Sequence, residues 1–585
     1  MASSQSGQLP GSVQRLPVAD GAEAFVEMLV ANDVEYIFLN SGTDTFPIQE
    51  ALARMMEQER KVPQVIICPD ESTALGAAHG YYQLTGRTQV VLVHVDAGTV
   101  QLGGGYHNVQ RDHAGLVICA GRPPATVGDT LHGGKDMNIH WLQEQRDQNG
   151  IVRTFTKWDY ELRRNESIHM VVQKAFQVAS SEPAGPVYLT LPRENLLEPM
   201  DELRLPSPQR HGTPVGPSAD PDALRTLADW LVTANAPLLI LGTPGRHPET
   251  VQHIQALAEA VGARVTGALT TRLNMPSDHP LNIGMMSPQQ LREADVVLVI
   301  DHDVPWIPSM DNPEPSGKIA WIDADPTKDS IPLWNFPADL LIHAAPQKAV
   351  PALVAAVNER LTAQDKERIA GRVAEISKET SARREASASA AQQASSERPL
   401  SPAWITYCLS RVLPQDAIVM NESVRSAPAV LANLRRTQPG TFFGSGGASL
   451  GWGVTASLGA KLAEPERDVV TIVGDGSFIF SRPLSVYWAA ERYAAPFLTI
   501  VLNNARHRAT YDNWNTHIPN GAAKRTGNFV GVDLDPSPDY EVLITATRGY
   551  GEKVEDPAEV LPAIERALER VRGGQSALLN MIISR

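Results

Sequence analysis

Residues 469–504 read VVTIVGDGSFIFSRPLSVYWAAERYAAPFLTIVLNN and contain the most informative pattern in the chain. A β-branched run ends at Gly474-Asp475-Gly476-Ser477, a helical pattern follows, and a second apolar run ends at Asn503-Asn504. This order predicts a strand–helix–strand unit. Both polar groups then lie at the carboxyl ends of parallel strands, which is where α/β sheets bind ligands.

The two polar groups predict a site for a magnesium ion and an anion. Asp475 offers a carboxylate and Asn504 an amide oxygen, and Mg²⁺ prefers a few such oxygen ligands together with phosphate and water oxygens. The helix after Ser477 would direct its N-terminal amides toward an anion. We therefore assign Asp475, Asn504 and the nearby Arg506 to the predicted metal site, and Gly476 and Ser477 to the anion contacts.

Short β-branched runs alternate with longer helical patterns along most of the 585 residues. This alternation predicts an α/β protein built on parallel sheets. ADGAEAFVEMLVAN and DESTALGAAHGYYQLTG are examples of the helical patterns. The clearest strands, in three groups along the chain, are VEYIFL, QVIIC, QVVLVHV, GLVICAG and PVYLTL; APLLILG, ARVTGAL, VVLVID and KIAWIDA; and DAIVMN, DVVTIVGDG, FLTIVLNN and ALLNMII.

Two breaks separate the three groups of strands. The first, at about 204–221, is rich in Pro, Gly and polar residues and is typical of a linker. The second, at 361–400, is charged and nearly lacks large apolar residues after Ile376, so we expect a solvated helix that gives way to a flexible linker. We predict three doubly wound parallel-sheet domains, at 15–200, 215–350 and 401–585.

Composition and charge exclude several classes of partner. The net charge of −15 argues against nucleic acid or an anionic membrane as the main partner. No apolar run approaches the ~20 residues that span a bilayer, and the first residues lack the apolar core of a secretion signal. Cys68, Cys119 and Cys408 lie far apart in apolar runs, which predicts buried, reduced thiols. We therefore expect a cytoplasmic protein.

Over nearly its whole length the chain resembles the thiamine-diphosphate (ThDP) superfamily of acetolactate synthase, benzoylformate decarboxylase and 2-hydroxyacyl-CoA lyase. GDGS followed by NN matches its signature, and MNES (420–423) and GAKLAEPERDVVTIVGDGS (459–477) are nearly identical to benzoylformate decarboxylase. The resemblance implies a pyrimidine-binding, a central and a diphosphate-binding domain, with ThDP and Mg²⁺ as cofactors. It also implies a homodimer or homotetramer, because in the family the pyrimidine domain of one subunit meets the diphosphate domain of another.

The resemblance places the family's essential glutamate at Glu71, in ICPDESTALGAAHGYYQLTG. A carboxylate bonded to the cofactor's aminopyrimidine favours the tautomer that can act as a base. GSGGASLGWG (444–453) resembles the loop that bends the cofactor. There Leu450 would separate the two cofactor rings, and the carbonyl of Ala448, where relatives usually have Gly, would accept a hydrogen bond. Ser423 is a further expected diphosphate contact.

Three segments resemble the substrate side of the family's site. In VLVHVDAGTVQLGGGYHN, His94 falls on a catalytic histidine of benzoylformate decarboxylase. A histidine, with an ordinary pKa of about 6.5, can relay protons at neutral pH. In LNSGTDTFP, Thr43 falls on a serine that contacts substrate. The stretch at 140–158 resembles an acetolactate synthase segment with a substrate-side glutamine, which makes Gln143 and Glu144 candidate pocket residues.

Other positions depart from these relatives. The decarboxylase has a second catalytic histidine in its central domain, whereas the aligned position here is about Pro308, with His302 and Trp306 as the nearest substitutes. His113 matches a histidine of uncertain role, and we expect a structural one. Neither an RFDD-type flavin signature nor a GxGxxG after a strand is visible, so we do not predict FAD.

The resemblance implies an enzyme that makes or breaks a carbon–carbon bond beside the carbonyl of a 2-oxo acid or 2-hydroxyacyl compound, with aldehydes or ketones as acceptors. Our first choice is a lyase or decarboxylase with carboligase ability, and an acetolactate-synthase-like transferase is the alternative. A 2-hydroxyacyl-CoA lyase stays open, because a basic segment could hold a carboxylate or an acyl-CoA phosphate. That segment is 505–529, with Arg506, Arg508, Lys524 and Arg525. A pure binding module is disfavoured because Glu71, Asp475 and Asn504 are all retained.

Overall fold

The computed structural model describes residues 14–205, 212–267 and 269–585, so part of the predicted linker at 204–221 lies outside the described residues. The described chain contains three α/β domains, each with a six-stranded parallel sheet flanked by helices. It divides by internal contacts into two compact units, one made of Met1–Val215 with Gly446–Ala463 and the other of Gly216–Ser445 with Glu464–Arg585. Within the described ranges, no helix is both long and apolar enough to cross a bilayer.

The first domain is organised around a parallel sheet in the order β3-β2-β4-β5-β7-β6, with an antiparallel pair β1–β8 beside it. Its strands are β1 (Gln14–Pro17), β2 (Tyr36–Leu39), β3 (Gln64–Ile67), β4 (Val90–Val93), β5 (Val117–Arg122), β6 (Trp158–Glu161), β7 (Val187–Pro192) and β8 (Glu202–Leu205). Its helices are α1 (Gly21–Ala31), α2 (Phe46–Glu57), α3 (Glu71–Thr85), α4 (Val95–Gln101), α5 (Gly103–Arg111), α6 (Ile139–Leu142), α7 (Ile168–Ser180) and α8 (Arg193–Leu197).

The central domain has the sheet order β11-β10-β9-β12-β13-β14. Its strands are β9 (Pro237–Leu241), β10 (Arg264–Thr266), β11 (Asn282–Gly284), β12 (Val296–Ile300), β13 (Lys318–Asp323) and β14 (Leu340–His343). Its helices are α9 (Pro221–Thr233), α10 (Thr250–Val261), α11 (Pro288–Glu293) and α12 (Pro346–Asn358). The apolar residues of β9, β12 and β13 are almost wholly buried, which explains their continuous hydrophobic runs.

A long helix, α13 (Ala363–Gln393), follows the central domain. It begins at Thr362, whose hydroxyl and Asp365 form a capping box. The helix continues well past Ile376, where we expected a flexible linker, so that expectation was wrong for most of the segment. Polar contacts explain the difference: Thr380 donates to the carbonyl of Pro280 at 2.6 Å, and Arg383 donates to that of Asn282 at 2.8 Å.

Arg372 attaches α13 to the ends of two helices of the central domain. Its guanidinium donates to the carbonyl of Gly262 at 2.9 Å, after α10, and to those of Ala234 and Asn235 at 2.9 and 3.0 Å, after α9. A cation at these carbonyls also suits the negative ends of the two helix dipoles.

We expect Arg372→Ala to lower the free energy of unfolding by about 2 kcal/mol, because several charge-assisted hydrogen bonds are lost. Differential scanning calorimetry would show the transition that includes the central domain at a lower temperature. Lys378→Ala, at an exposed position of the same helix, is the control and should change stability by less than about 0.5 kcal/mol. Equal effects of the two substitutions would contradict an anchoring role for Arg372.

The third domain has the sheet order β16-β15-β17-β18-β20-β19. Its strands are β15 (Ile418–Glu422), β16 (Phe442–Gly444), β17 (Val469–Gly474), β18 (Leu498–Asn503), β19 (Tyr550–Val554) and β20 (Ala577–Ile582). Its helices are α14 (Pro402–Val412), α15 (Ala427–Asn433), α16 (Trp452–Ala463), α17 (Asp475–Phe480), α18 (Pro483–Arg492), α19 (Arg508–His517), α20 (Ala522–Thr526), α21 (Tyr540–Leu543) and α22 (Val560–Arg572).

Helix α16 belongs to the third domain by sequence, but it packs against α3 and lies in the same compact unit as the first domain. It lies along α3 at very short range. A Cβ at Gly80 would lie 2.0 Å from the carbonyl oxygen of Ala456, and one at Gly459 would lie 1.7 Å from that of Ala77. The small residues that line both helices therefore allow their backbones to touch.

Near its middle, each sheet has a point where the strand order reverses and a ligand can enter between the diverging connections. In the first domain this point lies between β2 and β4, and in the third between β15 and β17. The chain leaves β4 at His94 and β17 at Asp475, so two predicted site residues lie at these points.

Candidate active site

Glu71 is the first residue of α3 and follows β3 at the carboxyl edge of the first sheet. Asp70 caps the helix: its carboxylate accepts hydrogen bonds from the amides of Ser72 at 2.9 Å and Thr73 at 3.2 Å. The Glu71 side chain is largely buried, with 8 % of the residue exposed. A Cβ at Gly98 would lie 3.0 Å from Glu71 Oε1, so α4 lies directly beside the carboxylate.

The segment that includes Ala448 and Leu450 is held on the first domain by Asn108. The Asn108 amide donates to the carbonyl of Ser449 at 2.8 Å, and its oxygen accepts from the amide of Ser449 at 2.9 Å. Ala448 has a left-handed backbone with φ of 56°, a conformation that glycine adopts more readily than alanine. Leu450 remains 36 % exposed, so its apolar side chain is accessible to a ligand.

His94 follows β4 and contacts two polar side chains. Its Nδ1 is hydrogen-bonded to Asp44 Oδ1, and its Nε2 lies 3.2 Å from Gln143 Oε1. The hydrogen bond to Asp44 raises the pKa of His94 more than any other contact, while partial burial works in the opposite direction. The structure thus brings His94 and Gln143 together, and we call Asp44, His94 and Gln143 the histidine cluster.

The other two predicted residues of this region lie nearby in different surroundings. Thr43 is exposed in the turn between β2 and α2, one residue before Asp44. Glu144 accepts a hydrogen bond from the buried ammonium of Lys135, which also donates to the carbonyl of His140 at 3.0 Å. Glu144 therefore forms an ion pair with Lys135, whereas Gln143 contacts His94.

Asp475 begins α17 directly after β17 and is 2 % exposed. Its Oδ1 accepts a hydrogen bond from the amide of Gly476 at 3.0 Å, and its buried Oδ2 has no hydrogen-bond partner among the described residues. Burial raises the pKa of Asp475, and the amides of Gly476, Ala505 and Arg506 partly oppose that shift. The carboxylate therefore lies against the turn that follows Asn504.

The two asparagines after β18 have different surroundings. Asn503 donates to Ser537 Oγ and Asn580 Oδ1, both at 3.0 Å, and this ties the turn to β20. Asn504 is only partly buried, and its oxygen accepts from the amide of Arg506 at 3.0 Å. Asn504 is thus the better placed of the two to offer an oxygen to a cation beside Asp475.

Arg506, included in the predicted metal set, directs its side chain away from such a cation. The guanidinium donates to Asp533 at 2.6 Å and lies 4.4 Å from the ring centroid of Tyr511. The backbone amide of Arg506 lies close enough to Asp475 to lower the pKa of its carboxyl group. A guanidinium has no lone pair to offer a metal, so the residue's main chain is the part that remains a candidate.

The predicted anion contacts flank Asp475 at the same edge. Ser477 is buried in the first turn of α17, and Ser423, just after β15, is buried with its hydroxyl donating to Asn421 at 2.7 Å. Two residues that the sequence did not suggest lie here as well. The first is His507, because a Cβ at Gly476 would lie 3.0 Å from its Nδ1. The second is Tyr540: burial raises the pKa of its hydroxyl to about 12, and the nearby charge of Asp475 contributes to the same shift.

The basic segment 505–529 forms α19 and α20 around a small core of Ala523, Phe529 and Val532. Arg508 is paired with Asp512 at 2.9 Å, so part of its charge is already neutralised. Lys524 and Arg525 lie exposed on α20, where an anion can still reach them.

The central-domain residues occupy other surroundings. Trp306 is buried, with its ring centroid 5.3 Å from Phe336, in the core of that domain. Burial lowers the pKa of His302 to about 4, so it is neutral at physiological pH. Pro308 is exposed. In the first domain, His113 lies two residues after the end of α5 and has a left-handed backbone, with φ of 50°.

Sequence reasoning missed Asp44 and Asn108. The available signals were a carboxylate after β2, beside the strand that carries His94, and an amide at the end of the quoted YHN segment.

All three cysteines are free and buried, as predicted, and burial raises the pKa of each thiol.

The donor set near Asp475 fits a magnesium ion with a diphosphate. A buried, unpartnered carboxylate oxygen awaits a cation or a donor. Within the described ranges, no group of three or more His, Cys, Asp or Glu residues is arranged to hold a metal, so an ion here would depend on Asp475, neutral oxygens and phosphate. That composition is the one Mg²⁺ accepts and the one Zn²⁺ avoids.

Family profiles match all three domains of the chain. The profile "Thiamine pyrophosphate enzyme, N-terminal TPP binding domain" matches residues 19–151, the corresponding central-domain profile matches 224–353, and the C-terminal TPP binding domain profile matches 426–581. These three regions cover most of the chain and follow the family's order.

Individual relatives are distant but nearly full-length. A probable acetolactate synthase large subunit of Methanocaldococcus jannaschii is 24 % identical over 96 % of this chain and 92 % of its own. A benzoylformate decarboxylase of Pseudomonas aeruginosa is 24 % identical over 83 % of this chain and 86 % of its own. The crystal structure of benzoylformate decarboxylase from Polynucleobacter necessarius has a TM-score of 0.78 at 20 % identity, covering 97 % of this chain and 99 % of that one, which shows the shared fold. The chain therefore belongs to the family of thiamine-diphosphate-dependent enzymes that includes the decarboxylases and acetolactate synthases.

Proposed function

We propose that this protein is a ThDP- and Mg²⁺-dependent carbon–carbon lyase, a 2-oxo acid decarboxylase with carboligase ability. The observation that carries the proposal is the histidine cluster at the carboxyl edge of the first sheet, after the strand β4. Glu71 follows β3 and Asp44 follows β2, and these strands are neighbours in the order β3-β2-β4. An acid–base group and the predicted cofactor-activating carboxylate thus arise at one sheet edge.

Bound ThDP would supply a nucleophilic carbon and an electron sink for cleavage beside a carbonyl. In this proposal Asp475 and Asn504 hold Mg²⁺ with the diphosphate, and Ser477 and Ser423 provide further polar contacts. Glu71 holds the pyrimidine in the tautomer that acts as a base. Leu450 and Ala448 would help to hold the cofactor in place.

His94 is the proposed proton donor on the substrate side. Its raised pKa keeps a proton available near neutral pH, as a general acid requires. Gln143 contacts the same ring and orients it, and Thr43 lies on the exposed turn beside the cluster, where it can contact substrate. Lys524 and Arg525 provide positive charge that attracts an anionic substrate.

The assembly and location that we propose are a homodimer or homotetramer in the cytoplasm. The buried free thiols of Cys68, Cys119 and Cys408 suit a reducing compartment. Size-exclusion chromatography with light scattering measures the assembly directly, and a monomer that retains full activity would contradict this part.

The test of the reaction is turnover of a panel of 2-oxo acids and 2-hydroxyacyl-CoA thioesters, with and without an added aldehyde. We expect CO₂ and an aldehyde from at least one 2-oxo acid, and a hydroxyketone when acceptor is present. Acetolactate from pyruvate would instead establish a synthase, and formation of an aldehyde with a one-carbon acyl-CoA would establish a CoA lyase. Protein stripped of ThDP and chelated with EDTA is the control and should be inactive.

A further inference from the structure

The histidine cluster carries an inference about how the acid is prepared. We propose that Asp44 is a positioning residue: it holds His94 with Nδ1 protonated, so that Nε2 is the nitrogen that delivers the proton replacing CO₂. This inference rests on the proposed function and adds a residue to it. Asp44 does not contact the reacting atoms in this scheme and acts only through His94.

Both oxygens of the Asp44 carboxylate are used on two consecutive residues. Oδ1 is hydrogen-bonded to His94 Nδ1, and Oδ2 accepts from the amide of Val95 at 3.1 Å. An ionised carboxylate can only accept, so Nδ1 of His94 must carry the proton. Asp44 is 4 % exposed, and water therefore competes little for either bond.

The backbone beside His94 has an unusual conformation that these bonds support. Val95 has φ of 31°, in a region that β-branched residues rarely adopt. Its amide is held by Asp44, and its carbonyl accepts from Thr99 Oγ1 at 2.6 Å. Backbone of this kind persists only where the surroundings determine it, and it is concentrated at functional sites.

Two glycines make room for the pair. A Cβ at Gly42 would lie 2.3 Å from His94 Nδ1, and a Cβ at Gly121 would lie 1.8 Å from Asp44 Oδ2. The carbonyl of Gly121 is in turn held by the Gln148 amide at 2.8 Å. A side chain at Gly42 or Gly121 would therefore collide with His94 or Asp44, so glycine at both positions allows the carboxylate and the imidazole to meet.

The opposite nitrogen of the ring faces Gln143. Nε2 lies 3.2 Å from Gln143 Oε1, and when the ring is an imidazolium its Nε2–H can donate to that oxygen. When the proton leaves, rotation of the Gln143 amide presents its NH₂ group to Nε2 instead. The cluster can therefore accommodate both protonation states without moving the ring.

The other titratable groups around His94 do not oppose the effect of Asp44 on its pKa. Asp96 on α4 adds a smaller upward effect on the His94 pKa, after Asp44 and Gln143. Burial lowers the pKa of His140 on α6, with the Arg193 charge as the next cause, so His140 stays neutral. Lys135 and Glu144 are paired with each other. Asp44 is thus the charge that dominates the ring.

The proton balance of the step is simple. The bond to the carboxylate carbon breaks as CO₂ leaves, and its electron pair stays with the former carbonyl carbon. His94 Nε2–H then breaks and the proton forms the new C–H bond, so a 2-oxo acid anion and one proton become an aldehyde and CO₂. Solvent returns the proton to His94, and no oxidant or reductant takes part.

The test is an NMR titration of His94 in the ThDP–Mg²⁺ holoenzyme labelled with ¹³C and ¹⁵N in histidine. The His94 signals are assigned by their loss in His94→Gln. We expect wild-type His94 to titrate above the ordinary value of about 6.5 and to be protonated at Nδ1 when neutral. Asp44→Asn should lower its pKa by about one unit or more and move the neutral proton to Nε2. Asp201→Asn, an exposed substitution in the same domain, should leave both unchanged.

Turnover provides the second arm. With a substrate from the 2-oxo acid panel, Asp44→Asn should reduce kcat about 10- to 100-fold with little change in KM, because only proton delivery is impaired. Wild-type His94 that titrates below its ordinary value, or that is protonated at Nε2 when neutral, overturns the proposal even if Asp44→Asn fails to fold. Absence of turnover with every substrate overturns the proposed function instead and leaves the titration result standing.

Discussion

Asp475→Ala is expected to leave a folded protein that no longer retains ThDP with Mg²⁺. Asp475 supplies the one buried carboxylate at the predicted metal site, and its Oδ2 has no partner among the described residues. Substitution of residues that merely orient metal ligands costs about 10- to 100-fold in metal affinity. Loss of the ligand itself should therefore weaken Mg²⁺-dependent ThDP binding by at least about 100-fold.

Although Asp475→Ala should weaken cofactor binding, it should not destabilise the protein without cofactor. Burial raises the pKa of Asp475, so folding favours its protonated form. The ionised carboxylate therefore destabilises the apoprotein as the pH rises from the ordinary carboxyl pKa to the raised pKa of the folded state, and by a constant amount above it. Removing this group should raise the melting temperature of the apoprotein at neutral pH or leave it unchanged.

The measurement is a pair of melting curves, with and without ThDP and Mg²⁺, together with calorimetric titration of the cofactor. Ligand that binds only the folded state raises the melting temperature of wild type, and we expect no such rise for Asp475→Ala. Asp535→Ala, which removes an exposed carboxylate paired with Arg585 in the same domain, should behave as wild type. An undiminished ThDP-dependent rise in Asp475→Ala would show that the metal site lies elsewhere.

Glu71→Gln is expected to retain ThDP and lose turnover by about a thousand-fold, within the range for loss of an acid–base group. The substitution keeps the shape of a side chain that is buried at the start of α3, but it removes the charge. A neutral amide favours the base-competent tautomer of the aminopyrimidine less than a carboxylate does. Binding should change by less than about ten-fold, because the Mg²⁺–diphosphate contacts are untouched.

Two readouts separate activation from binding for Glu71→Gln. Calorimetry gives the affinity for ThDP, and the rate of hydrogen–deuterium exchange at the thiazolium C2 position gives activation without any substrate. Glu57→Gln, exposed at the end of α2, is the matched control. Wild-type exchange and turnover in Glu71→Gln would remove Glu71 from its assigned role.

The strands predicted from sequence are almost all interior strands of the three sheets. The predicted runs coincide with β2 to β5 and β7, with β9, β10, β12 and β13, and with β15, β17, β18 and β20. The strands not predicted are β6, β11, β14, β16 and β19, which lie at the edges of the three large sheets, and β1 and β8, which form the separate antiparallel pair. Interior strands are covered on both faces and therefore need continuous apolar runs, whereas edge strands such as β19 are half exposed and lack that pattern.

A similar division applies to the candidate site. Asp475 and Asn504 were identified because each follows a recognisable strand, whereas Glu71 and His94 were identified by the family resemblance of the segments around them. Asp44 was missed because Thr43, its neighbour, was the residue suggested by resemblance. Nothing local in LNSGTDTFP distinguishes a carboxylate that turns inward to a histidine from one that caps a turn in solvent.

By itself, the sequence determined the fold class, the cofactor family and the polar residues at the ends of the interior strands. Hydrophobic runs and turn residues are local properties, and they are legible without coordinates. The tertiary structure alone decided which of those residues meet. It placed β2 beside β4, so that Asp44 reaches His94, and it packed α16 on α3, so that Asn108 holds the loop of Leu450. Such pairings depend on contacts between segments far apart in sequence, and the free energy of those contacts is absent from any local pattern.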